Sequence, residues 1–252
     1  KIDYSTFIKF RQRLVKKRWF TKVFKSLTRV IAENLQDLNL ILDSSFVKTY
    51  SGKDEKGSEY SGYKEKNGFK LHQIIDFETR LPLLQTVSGG AQADIVLGEK
   101  LIRAGPKGWK AQSLAADKGY DSQDLVWQTK QKWRFCRIAI PIRKTTQKLT
   151  LEEQKKSYNY HQKAKERCLD SKLLNQRTEI ERYFSRKKRV FHLGEERTRG
   201  LRNFQTNSYM TSIMEILEFL AIPDTLLLIF TKLTFKPLIL ARILLIKTQQ
   251  RK

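Results

Sequence analysis

Acidic residues are scarce in this chain. Among 252 residues, 26 Asp and Glu stand against 50 Lys and Arg, a formal net charge of +24 with a pI near 10. The deficit argues for a polyanionic partner, nucleic acid first, with nonspecific binding to RNA or another anionic surface as the alternative. Cysteine is nearly absent too. Cys136 and Cys168 make no disulfide framework and have no zinc spacing, so the chain reads as reduced and intracellular. The three histidines, His72, His161 and His192, are scattered. No signal peptide and no internal repeat is visible, and the first residue is Lys, which reads as a fragment or a processed form. Long apolar runs are missing except at the end. Residues 225–246 come closest, but Lys232, Lys236, Pro237 and Arg242 interrupt them. A membrane span needs about 20 mostly uncharged residues, so a docking helix or an oligomer contact is the expectation for the tail.

What is present is organised by hydrophobic period. Residues 1–37 read as a basic helical segment, with Leu14, Val15, Trp19, Phe20, Val23, Phe24, Leu27 and Ile31 at helical spacing. This is either a piece of a truncated DNA-binding module or a helix packed on the main domain. From residue 38 the pattern predicts a strand over 38–49, a loop over 50–67 and two strands over 68–77 and 81–87. A helix over 93–104, a strand over 112–116, a helix over 122–132 and a strand over 135–142 follow. Residues 143–170 are polar and Lys-rich, and helices are expected over 173–189 and 204–220. The alternation implies an α/β layer fold with a mixed sheet over 38–222, and 223–252 as a separate apolar and basic tail. Trp109, Trp127 and Trp133 read as core residues rather than base-stacking platforms.

With so few acids, each one in an apolar setting needs an explanation, since an unpaired carboxylate at the end of a buried strand is costly. Asp43 follows Leu40-Ile41-Leu42 and Asp117 follows Leu114-Ala115-Ala116. Runs apolar on both faces belong to central, parallel strands, so if the two are neighbours these aspartates meet in the crevice at the sheet's end. Glu181 lies in a helical stretch, where Arg177, Glu181 and Lys188 fall at about 0, 40 and 20 degrees around the axis. Ile180 and Phe184 flank that face, so the expectation is that it packs on the sheet and brings Glu181 to the aspartates. Three crowded carboxylates repel unless a cation joins them. Magnesium or manganese, hard ions with oxygen ligands, meets that need.

These residues are similar to a known family. Leu42-Asp43-Ser44-Ser45, Gly68-Phe69-Lys70-Leu71-His72, Ala116-Asp117-Lys118-Gly119-Tyr120 and Arg177-x3-Glu181-x6-Lys188 resemble the DDE transposases of bacterial insertion sequences. The resemblance covers residues 38–222. Leu174 stands where the fuller signature has Tyr. The family implies a ribonuclease H-like fold, a mixed sheet with flanking helices, here preceded by the N-terminal helical segment. It also implies cleavage and strand transfer at the element's ends by Asp43, Asp117 and Glu181 holding two Mg²⁺ or Mn²⁺ ions about 3.5–4 Å apart. No covalent protein–DNA link is expected.

Double-stranded DNA is the implied partner, bound by a homo-oligomer in the prokaryotic cytoplasm at the nucleoid, with no membrane involved. Arg177, Lys187, Lys188, Arg197 and Arg199 are the expected phosphate contacts, and Lys70 and His72 possible accessories. A ribonuclease H-like nuclease without strand transfer is the alternative, as is an inactive DNA-binding remnant. A serine nucleophile at Ser44 or Ser45 has no base placed by motif. Tyr183 lacks the Arg-His-Arg set of a tyrosine recombinase.

Overall fold

The computed structural model describes residues 3–35, 37–50, 53–141, 170–195 and 199–221. The expectations for residues 143–167, Arg197, His161, Cys168 and the tail 223–252 lie outside these.

The apolar run Leu40-Ile41-Leu42 lies in the central strand. In β1 (Leu38–Lys48), Leu38, Leu40, Ile41 and Leu42 are buried on both faces of the sheet. On one side β1 pairs antiparallel with β3 (Lys66–Asp76), from Leu40↔Asp76 to Lys48↔Gly68. The far edge of β3 is shared by the short β2 (Glu59–Ser61) and by β4 (Pro82–Gly89), both antiparallel. On its other side β1 runs parallel to β5 (Ala111–Ala116), and β5 runs parallel to β6 (Arg137–Ala139). The parallel pairs are joined through helices, α3 (Asp94–Ala104) before β5 and α4 (Gln123–Lys132) before β6, as parallel crossovers require.

Helices cover both faces. One core joins Leu40, Leu42 and Leu114 to Leu101 and Ile102 of α3, Leu125 of α4, and Phe24 and Ile31 of α2 (Trp19–Asn34). The other joins Ile41, Val47, Phe69 and Leu71 to Ile180 and Phe184 of α6 (Thr178–Arg189). The last helix, α7 (Leu201–Ala221), supplies Phe204 to the second core and Tyr209 and Ile216 to the first. This mixed α/β arrangement is compatible with the ribonuclease H-like class expected above.

The N-terminal segment is helical as read, but its two helices differ. The first, α1 (Tyr4–Lys16), buries no residue, and its Tyr4, Phe7 and Phe10 are exposed. By contrast α2 enters the main core through Phe24, whose ring meets Tyr209 edge-on at 5.3 Å between centroids.

Several boundaries differ from the sequence reading. The loop expected over 50–67 contains β2, only three residues long, too short for a period to show. The strand expected over 135–142 is confined to Arg137–Ala139. The single helix expected over 173–189 is two, α5 (Ser171–Gln176), capped by Asp170 on Leu173 N at 3.1 Å, and α6, with Arg177 at the joint. Trp109 and Trp133 are buried and stacked at 5.8 Å, whereas Trp127 is exposed, contrary to its reading as core.

Candidate active site

The register of the central strands decides where the first two acids lie. Leu42 pairs with Ala116 in the parallel β1–β5 ladder, so the next positions, Asp43 and Asp117, stand side by side where β5 ends. Each carboxylate also accepts from the next backbone amide: Asp43 Oδ1 from Ser44 N at 2.8 Å within β1, and Asp117 Oδ1 from Lys118 N at 2.7 Å at the turn after β5. Burial pushes the Asp43 carboxyl up to about 7, and the negative charges of Asp117 and Asp94 add to the shift. The Ser44 amide and the Arg177 guanidinium pull the other way without cancelling it.

Asp94 is a site residue the sequence reading missed. It opens α3 and accepts from Ser44 Oγ at 2.9 Å and from Lys70 Nζ at 3.1 Å. An acid in the first turn of a helix is ordinarily explained by the helix dipole, so nothing in its local sequence set it apart. Lys70 also donates to Gln92 O at 2.9 Å. His72, facing Ser44 across the β1–β3 ladder, is fully buried, with Nε2 2.8 Å from Ser88 Oγ and Nδ1 3.8 Å from Asp94. Burial lowers its pKa to about 4, so the ring is neutral at physiological pH. Lys70 and His72 are therefore a half-buried cation and a neutral ring beside Asp94, opposite Phe46 and Ser44 in the ladder. Tyr120 completes this wall: its phenol is buried, and burial with the charges of Asp43 and Asp94 keeps it protonated.

Glu181 requires a correction. The buried arc of α6 is Ile180, Tyr183, Phe184 and Lys187, centred about 90 degrees around the axis from Arg177, Glu181 and Lys188. The Glu181 side chain is accordingly 60% exposed rather than pressed on the sheet, and Oε1 accepts from Arg177 Nη1 at 3.2 Å. Arg177 in turn acts electrostatically on Asp43, so it stands between the third acid and the first. Among the described residues no three acidic, histidine or cysteine side chains form a closed metal-holding cluster.

The expected phosphate contacts separate as well. Lys187 is fully buried, bonded to Glu215 Oε2 at 2.8 Å, and cannot meet a phosphate. The sequence placed it in a run of four cations, but only the helical angle separates the inward member from the outward ones. Lys188 is half-buried and donates to Phe46 O at 2.9 Å. Arg199 is exposed and lines a cavity of about 420 Å³ with Lys53, Asp54, Glu55, Lys56 and Gly200.

The chain matches the model of the Transposase DDE domain family over residues 35–215. The chain belongs to that family. The matched span begins just before β1 and ends within α7, so it takes in both aspartates, α6 and the whole sheet. Membership in the transposase DDE domain family gives the chain a transposase-type function with DNA as its substrate class. The family generally uses divalent metal ions. No curated protein and no solved structure matches the chain. Among the described residues no helix is long and apolar enough to cross a membrane.

Proposed function

We propose that the chain cuts DNA at the ends of an insertion sequence and joins the freed strand to a target, using divalent metal held by Asp43, Asp117 and Glu181. The observation that carries this reading is the adjacency of Asp43 and Asp117, with the Asp43 carboxyl raised to about 7 by burial beside two further carboxylates. That donor set is short of positive charge, all hard oxygen, and open at the end of β5, which suits Mg²⁺ or Mn²⁺. Bound there, such ions stabilise charge on the transferring phosphoryl group and lower the pKa of water.

The chain's own groups supply the rest. Asp43 in β1 and Asp117, just past the end of β5, each follow the paired residues Leu42 and Ala116. Glu181 joins them by giving up Arg177, and the released guanidinium then faces the phosphate backbone, to which it binds bidentately. Ser44 and Lys70 hold the Asp94 carboxylate in place, donating to its Oδ1 at 2.9 and 3.1 Å. No side chain attacks phosphorus in this scheme: the Ser44 hydroxyl is engaged by Asp94, and the Tyr183 hydroxyl is buried against Glu215 at 2.8 Å.

The test is Asp117→Asn. It removes one metal ligand and one negative charge from an already basic surface. Cleavage of an element-end duplex should fall by more than about 100-fold, because even a group one shell outside a metal is worth about 10–100-fold. DNA binding should stay near the wild-type level. Cleavage that survives the substitution would remove Asp117 from the site. Cleavage by the wild type without joining would favour a nuclease that does not transfer strands.

A further inference from the structure

The helix that carries Glu181 is held by an unusual device. Lys187, one turn and a half beyond Glu181 on α6, has no exposed surface, and its partner Glu215 on α7 is 3% exposed. Lys187 Nζ donates to Glu215 Oε2 at 2.8 Å, to Ser212 Oγ at 2.6 Å and to Tyr183 Oη at 2.9 Å. Tyr183 Oη donates to Glu215 Oε2 at 2.8 Å. Ser212 Oγ continues to Gln85 Oε1 at 2.6 Å, and Gln73 Nε2 donates to Gln85 Oε1 at 2.9 Å. Gln73 is the residue directly opposite Asp43 in the β1–β3 ladder. One buried polar network thus runs from the strand pair that holds Asp43 to the helix that holds Glu181.

A buried ion pair is a poor source of stability, since well-packed apolar groups of the same volume do as well or better. What it supplies is direction. Ile180 and Phe184 hold α6 against the sheet but tolerate rotation and sliding, whereas three donors aimed from Lys187 fix one azimuth. An error of about 1 Å in a supporting element is enough to spoil a preorganised site.

We propose that Lys187 and Glu215 are a buried positioning pair that sets the azimuth of α6, and through it the reach of Glu181 toward Asp43. The proposal rests on the metal-site reading above. Neither residue touches DNA or metal in it.

The experiment replaces the pair by apolar residues, Lys187→Met with Glu215→Leu, in the full chain. It measures Mn²⁺ affinity by paramagnetic resonance and hydrogen exchange of the α6 amides, with thermal unfolding alongside. The expected result is a folded protein with faster exchange in α6, DNA binding retained and Mn²⁺ affinity lowered about 10–100-fold. Wild-type Mn²⁺ affinity in the folded double variant overturns the proposal. Should the double variant fail to fold, Tyr183→Phe removes one hydrogen bond and no charge. It should weaken Mn²⁺ about tenfold, the lower end of outer-shell effects, and an unchanged affinity again overturns the proposal. Asp117→Asn, measured in parallel, separates the two failures. If it loses Mn²⁺ while the network variants keep it, only the positioning role falls. If it too keeps Mn²⁺, the metal-site reading falls, and the positioning role with it.

Discussion

Asp43 has a measurable signature in the metal-free protein. Its carboxyl titrates near 7 in the fold against an ordinary value of 3.8, because burial beside Asp117 and Asp94 disfavours the anion. A raised folded-state value means that Asp43 supports the fold fully below pH 4 and that this support is lost as pH rises through 7. His72 works in the opposite sense, its support being present above 6.5 and lost as pH falls toward 4. The two overlap, so the informative quantity is a difference. Asp43→Asn should melt closer to wild type, or below it, at pH 4, and gain several degrees on it by pH 8. A difference that is flat across this range would mean that Asp43 is not buried among uncompensated acids. Much of this was legible in the residues themselves: apolar runs ending in Asp43 and Asp117 gave both positions. The partners were not. Asp94 looked like an ordinary helix-start acid, and Lys187 looked like one of four surface cations, because burial is a property of the fold and not of a charge run.

At the scale of elements, the wall behind the acids depends on one close approach. Gly98 in α3 faces Tyr120, and a Cβ placed there would stand 2.7 Å from the Tyr120 ring and 3.2 Å from Leu42 Cδ2. Both neighbours are fully buried and have no room to yield. Gly98→Ala should therefore cost about 1–3 kcal/mol as overpacking, despite the better helix propensity of alanine. Chemical denaturation reads the cost. An alanine that stabilises would show that α3 and the turn after Asp117 are not in tight contact.

Apart from the break between α5 and α6, the long strands and amphipathic helices from β1 to α7 followed in order from the sequence pattern, since such elements carry strong periods. The three-residue β2 did not, nor did the outward turn of Glu181. A helical wheel gives angles between side chains but not the direction of the core. Here the core lies toward Lys187, whose charge masked it.

The whole molecule carries a formal net charge of +24. Phosphate contacts release counterions, each giving a slope of about −0.9 in log K against log salt. Arg189 and Arg199 are exposed at the end of α6 and at the entry to α7. Replacing both with Ala should flatten the slope by about 2, whereas Lys187→Ala should leave the slope alone and destabilise the fold. An unchanged slope in the double arginine variant would move the DNA path to another face, such as the basic helices α1 and α2.

The interleaving of the sheet has a consequence in time. Its central strand is made early, yet one flank, β5, and the helix bearing Glu181 come much later in the chain. At the usual pace of synthesis, the roughly 140 residues between Asp43 and Glu181 take on the order of ten seconds to emerge. A polypeptide released before Glu181 is made therefore holds at most two of the three acids proposed to hold metal. The proposed three-acid site can close only after Glu181 has left the ribosome.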